Sequence, residues 1–303
     1  MVLKGRHEML STKDAAKIFS SKGINAVAHG DFDFILKVAS SYVDNLSDIF
    51  CIEDVFQECY RQLKKSYKFE YYIKNIIAEK ILLGRYSLNT ATLLNEFRVG
   101  ESKADSVILN GISTCYEIKS EYDSLNRLEV QLASYLKIFD KVNVVTTEGH
   151  LQKVMKIAPG SVGVLRLGKN DVLTQIRPAE LSTEPVDVDI LMASLRRNEY
   201  LSLVRELCGE TPVSANTGIY DECRSFLHSV DSAKLRLAFC RTLKNTRKVD
   251  KGYVENLPKS LLVAGIEYRV LSANKAQLLQ NLKIHFSKET LCTTQYSRRS
   301  GTN

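Results

Sequence analysis

Between Asp105 and Glu117-Ile118-Lys119 the chain has little freedom: an apolar run, the dipeptide Asn110-Gly111, then a second apolar run. Asn-Gly between β-rich runs predicts a type I′ hairpin, because both central residues of that turn need positive φ. Residues two apart in a strand share a face, so Glu117 and Lys119 project together while Tyr116 and Ile118 face the other way. The hairpin folds Asp105 back toward that pair. Two carboxylates and an ammonium then converge at one sheet edge, a set suited to holding a hard divalent cation and activating water.

Periodicity extends the reading in both directions. Residues 72–83 carry Ile73, Ile76, Ile77 and Ile81 at helical spacing and stop at Gly84. Residues 93–99, 103–109 and 114–120 read as strands. Leu125, Leu128, Leu132, Tyr135, Leu136 and Phe139 form a helical stripe capped by Asp123 or Ser124. Residues 142–146 are nearly continuously apolar, as in a strand buried on both faces. Segments 163–167 and 171–176 add an edge hairpin around Gly168.

Residues 1–70 read as a helical extension. One helix runs from a Thr12 cap to Lys22 with Gly23 past its end, and a second covers 34–43. A third follows Cys51, with Val55, Cys59 and Leu63 on one stripe. The sheet core spans 71–178, a Pro-bounded linker 179–186, a mainly helical, Leu-rich domain 187–286, and a polar, mobile tail 287–303. The expected class is α/β: a mixed central sheet flanked by N-terminal helices and a mainly helical C-terminal domain.

The 303 residues suffice for more than one domain, and they carry a formal net charge of +7. The excess is local. Between Ala233 and Lys251 seven cationic side chains face a single acid, Asp250. On a continuous helix Lys234, Arg241, Lys244 and Lys248 fall within about 80° of arc, a stripe able to track a phosphate backbone or simply to face solvent. Seven scattered cysteines without a CxxC pair indicate neither a zinc cluster nor a disulfide framework. The polar N-terminus and short apolar runs predict a cytoplasmic protein with no membrane partner.

The acid–hairpin–ExK pattern resembles the PD-(D/E)XK nuclease superfamily. Residues 71–167 are more narrowly similar to an uncharacterised bacterial family built on that core. The matching pieces are Glu79, Glu96-Phe97-Arg98, Ala104-Asp105, Tyr116 to Ser120, Asp123, Arg127, Gln131, Tyr135 and Phe139 to Val142. Ala104 stands where the motif's name has proline. The resemblance implies a restriction-endonuclease-like αβββαβ core and a Mg²⁺- or Mn²⁺-dependent nuclease, DNA being favoured over RNA. By resemblance Asp105, Glu117 and the Ile118 carbonyl hold the cation, with Glu79 completing its shell. Lys119 handles the attacking water, and Gln131 reaches a metal-bound water or the phosphate. It also implies genome-defence or mobile-element biology.

Each residue has a plainer alternative. Glu117 and Lys119 make a surface ion pair, Asp105 lies exposed, Glu79 is a solvated neighbour of Lys80, Tyr135 is core, Arg127 pairs with Asp123, and Glu96 pairs with Arg98. The competing functions are a catalytically silent nucleic-acid-binding module and a partner-recruiting interaction protein. Strandedness, sequence specificity and the homodimer that a double-strand cutter favours stay open.

Overall fold

A computed structural model describes residues 10–66, 69–210, 218–268, 270 and 272–291. The chain divides into two compact units, residues 1–75 with 250–303, and residues 76–249. This is not the segmentation read from the sequence. The helices after the proline-bounded stretch, up to residue 249, share the core of the sheet, and the chain beyond them belongs with the N-terminal helices.

In the first unit α1 (Thr12–Ala15) starts at an N-cap Ser11, whose hydroxyl accepts from the Asp14 amide. A 3₁₀ turn follows, then α2 (Ser21–Ala28), which contains Gly23 rather than stopping before it. A Cβ on Gly23 would sit 2.5 Å from the Ile18 carbonyl oxygen, so the close turn-to-helix approach requires glycine there. α3 (Asp33–Ser41) and the short strand β1 (Ile49–Cys51) lead into α4 (Ile52–Ser66), whose Val55, Cys59 and Leu63 are fully buried as their spacing predicts. The division between the units falls within α5 (Glu70–Ile77), which continues as a π-helical stretch Ala78–Leu83 ending at Gly84.

The second unit is built on six strands: β2 (Thr92–Val99), β3 (Ser102–Leu109), β4 (Ser113–Lys119), β5 (Lys141–Thr147), β6 (Gly163–Leu167) and β7 (Leu173–Arg177). They lie in sequence order, antiparallel except for the parallel pairs β4–β5 and β5–β6. The parallel crossovers are α6 (Leu128–Leu136) and α7 (Glu148–Ile157). The class is mixed α/β, and the order helix, three strands, helix, strand matches the sequence reading. α7 had no counterpart there.

Two local expectations give way. After the last pair, Leu109↔Ser113, the β3–β4 connection has three residues, and Gly111 (φ +107°) supplies its positive φ; Asn110 does not, so the turn is not type I′. α6 starts later than its apolar stripe, at Leu128, with Arg127 as N-cap and no side-chain capping bond. The carboxylate of Asp123 instead accepts from the Ser120 amide and hydroxyl, at 2.7 and 2.6 Å.

One core joins the inner face of the sheet to the helices. Phe97 stacks edge-on against Phe139 at 5.9 Å and Phe239 at 6.3 Å. Leu132 and Tyr135 from α6, Leu151 and Val154 from α7, and four further helices close it: α8 (Val188–Ser194), α9 (Arg197–Cys208), α10 (Ile219–His228) and α11 (Ser232–Thr246). Burial on the order of 25 cal/mol per Å² of apolar surface drives this assembly.

Beyond Asp250, α12 (Lys251–Glu255), α13 (Leu262–Glu267), α14 (Ser272–Asn281) and β8 (His285–Ser287) complete the first unit. β8 pairs antiparallel with β1, Phe50 opposite Phe286, so the expected mobile tail is ordered at its start. Its remainder, residues 292–303, lies outside the described residues.

Candidate functional site

β3 and β4 stay in register as far as Ser106↔Tyr116, which sets Asp105 opposite Glu117. There the ladder gives way to a side chain: the Ile118 amide donates to Asp105 Oδ2 at 2.6 Å. A carboxylate that replaces a backbone acceptor is fixed in place, and a charge-assisted bond of this length is among the stronger kinds.

Across β3 the partner strand is distorted at the same level. Glu96 has φ +54°, a left-handed conformation inside a strand, which a glutamate adopts only when its surroundings impose it. The ladder runs Asn95↔Ser106, then Phe97↔Ala104, with Glu96 and Asp105 skipped. Leu94 and Phe97, three apart, therefore both enter the core, and the Glu96 side chain is turned out of strand alternation. Carboxylate oxygens of Glu96 and Asp105 lie within 4.8 Å of each other. Glu96 pairs with Lys103 at 3.1 Å, not with Arg98, which donates to the Gly100 carbonyl.

Glu117 and Lys119 share a face as predicted, but they are no surface pair. They are 1% and 9% exposed, with Lys119 Nζ 2.7 Å from Glu117 Oε1. Tyr135 reaches from α6 to the other oxygen, its hydroxyl 2.9 Å from Glu117 Oε2 and 2.8 Å from the Lys103 carbonyl oxygen. Burial, reinforced by the charge of Glu117, holds the Tyr135 phenol well above its usual range, so it stays a donor. Cys115, on the same strand face, is fully buried, and burial above all holds its thiol pKa well above the usual range.

The remaining predicted residues are placed as follows. Gln131 is one turn before Tyr135 on the same side of α6; its Oε1 is buried and makes no hydrogen bond. Glu79 sits in the π-helical stretch with Lys80 Nζ 3.3 Å away. Arg127 is exposed at the start of α6 and does not take Asp123, whose carboxylate is turned to Ser120.

The basic stripe is thinner than the sequence suggests. α11 ends at Thr246, so Lys248 lies beyond the helix, and Arg241 is within 3.4 Å of Glu206. Two cations of the run are structural. Arg236 is buried and donates to the carbonyls of Phe139 and Glu184 and to Ser182 Oγ. Arg247 clamps the buried Glu199 and lies over Phe97. Lys234, Lys244 and Lys248 make no ion pair among the described residues. Among the described residues no helix is long and apolar enough to cross a membrane.

The family model described as Bacteriophage P4 protein cII matches residues 63–266, well over half of the chain and every site residue above. The chain belongs to that family. Protein cII of Enterobacteria phage P4 is 37% identical over 86 residues, which make up 28% of this chain. The chain spans 33% of the length of that curated relative. No solved structure matches.

Glu96, Lys103 and the hydroxyl of Tyr135 are the site members that sequence reasoning undervalued. The i, i+4 spacing of Gln131 and Tyr135 was the available signal for Tyr135. Nothing in the sequence announces the left-handed Glu96.

Proposed function

We propose that this member of the P4 cII family is a metal-dependent phosphodiesterase of nucleic acid, a DNA endonuclease with a restriction-endonuclease-like core of the PD-(D/E)XK type. The observation that carries the reading is one cluster: Asp105 opposite Glu117 where β3 and β4 part, Lys119 against Glu117, and Glu96 turned toward Asp105. The helix–βββ–helix–β order around it supports the same assignment.

The donor set fits a hard divalent cation. Glu96 and Asp105 offer carboxylate oxygens within 4.8 Å of one another, and no histidine or thiolate belongs to the set. Mg²⁺ or Mn²⁺ held there would polarise a phosphodiester oxygen, which the carboxylates alone would repel. Lys119 Nζ, now donating to Glu117 Oε1, is the cation placed to offset charge on the scissile phosphate. Tyr135 and Lys119 hold Glu117 from its two oxygens and so fix where it can act. The phage origin of the relative supports a mobile-element setting.

One observation favours a silent nucleic-acid-binding module: both oxygens of Glu117 are already engaged, so a cation must compete with an ammonium for it. A cleavage assay separates the two. Supercoiled plasmid, linear duplex, single-stranded DNA and structured RNA are incubated with Mg²⁺, Mn²⁺ or EDTA, using wild type, Asp105→Asn and Lys119→Met. Metal-dependent cutting lost in both variants is expected. Cutting that survives Asp105→Asn would sink the proposal, and salt-sensitive binding without cutting would favour the silent module.

A further inference from the structure

We propose that the groove between the 120–126 turn and α7 is a subsite for the phosphodiester backbone of the bound strand, next to the carboxylate site. This rests on the nuclease reading and adds the path of the substrate. The groove is open to solvent, with a volume of about 450 Å³. Its polar lining is Asp123, Ser124, Asn126, His150, Lys153 and Lys156.

Position is the first argument. β4 and its parallel neighbour β5 end at Lys119 and Thr147, and the groove is lined by the segments that leave those two ends. In parallel sheets ligands bind in the crevice outside the carboxyl ends of the strands. Ser120, next in the chain to Lys119, anchors the turn by donating to Asp123 Oδ2, so the groove wall is continuous with the site.

Charge is the second. His150, Lys153 and Lys156 fall within about 120° of arc on α7. Lys153 and Lys156 are exposed and make no ion pair among the described residues. The one acid in the lining, Asp123, is held by the Ser120 amide and hydroxyl through Oδ2, so the lining carries two ammonium groups against one carboxylate. His150 Nε2 is 3.0 Å from the Asp123 carbonyl oxygen, which ties the turn to the helix and sets the groove width. Two ammonium groups on long stems, with Ser124 and Asn126 as neutral donors, suit successive phosphates of a strand rather than one planar carboxylate. On α11 the unpaired Lys234 and Lys244 stand ten residues apart, whereas Lys153 and Lys156 are one turn apart.

The test is fluorescence anisotropy with a labelled oligonucleotide duplex and single strand, with Ca²⁺ replacing Mg²⁺, over a salt series. Lys153→Ala/Lys156→Ala should weaken binding on the order of tenfold near 0.1 M salt and lower the log–log salt slope by about 1 to 2. Lys13→Ala/Lys22→Ala, the same charge loss in the other unit, should leave both unchanged. Unaltered binding by the groove variant, equal loss in the control, or no binding by wild type would overturn the proposal. Asp105→Asn keeps the two readings apart. If it abolishes cleavage while the groove variant binds normally, the nuclease stands and the groove falls. If wild type never cleaves yet the groove lysines carry binding, the reverse holds.

Discussion

The hydroxyl of Tyr135 lies 2.9 Å from Oε2 of Glu117, while Lys119 Nζ lies 2.7 Å from Oε1 of the same carboxylate. A buried carboxylate is tolerable only when both oxygens find donors, and here one comes from the ExK strand and one from the following helix. The helix is thereby keyed to the ExK strand. On the proposed function Tyr135 is a positioning residue, acting through Glu117.

Tyr135→Phe should separate that role from packing. The ring is fully buried and packs near Phe139, so phenylalanine fills the same space. It leaves Glu117 Oε2 and the Lys103 carbonyl without their shared donor, a cost of about 1–3 kcal/mol. Urea unfolding should show a lowered midpoint with unchanged slope, and cleavage should fall in kcat rather than KM. Unchanged kcat at reduced stability would confine Tyr135 to the core.

Lys119 needs a matched control, because removing it strands a carboxylate that is 1% exposed. Lys119→Met should cost about 3–5 kcal/mol, the usual penalty for breaking a buried pair from one side. Lys119→Met/Glu117→Gln removes both charges and should recover most of that in thermal denaturation. It should not recover cleavage. A double variant that cuts at the wild-type rate would show that the pair is only structural.

Glu96 is paired with Lys103, yet its carboxylate and that of Asp105 lie within 4.8 Å of one another, so a cation that binds both stabilises the fold by mass action. Millimolar Mg²⁺ or Mn²⁺ should raise Tm relative to EDTA, about 2.7 kcal/mol of stabilisation being reached at a hundredfold excess over Kd. Glu96→Gln and Asp105→Asn should each diminish the shift. Equal shifts in wild type and both variants would place the cation elsewhere.

The strands were legible to within a residue or two because their short, β-rich runs, buried on both faces at the centre of the sheet, are bounded by polar and glycine-containing turns. What escaped had physical reasons. Asn-Gly specifies a turn, but the extra residue Ile112 joined the loop, and only Gly111 then needed positive φ. Residues 148–157 offer few apolar positions, Leu151 and Val154 being the buried ones, so α7 and its groove had a weak signature. Counting charges between residues 233 and 251 ignored burial, and Arg236 and Arg247 belong to the core. Glu96 is imposed by tertiary context against its own backbone preference.

Arg247 gives a prediction with a definite pH sign. It grips Glu199 through both oxygens, at 2.7 and 2.8 Å, and the Arg196 amide adds a third donor at 2.8 Å. Glu199 is fully buried, and burial is the largest single influence, pushing its carboxyl up. The Arg247 bonds, the Arg196 amide and the two guanidinium charges together outweigh it, so the group is held below its ordinary 4.5. The unfolded chain then binds the proton more readily than the folded one, and stability rises with pH across that interval. The contribution is complete above about pH 4.5 and is lost as pH falls through the lower folded-state value. Arg247→Met should cost about 3–5 kcal/mol at pH 7, since it strands the carboxylate. Urea titrations at pH 7, 4.5 and 3 should show the gap between wild type and variant closing toward acid. Arg247→Lys should not restore it, because a lysine cannot supply the two parallel bonds or lie flat over Phe97. A gap independent of pH would mean that Arg247 stabilises the unit through its contact with Phe97 instead of through Glu199.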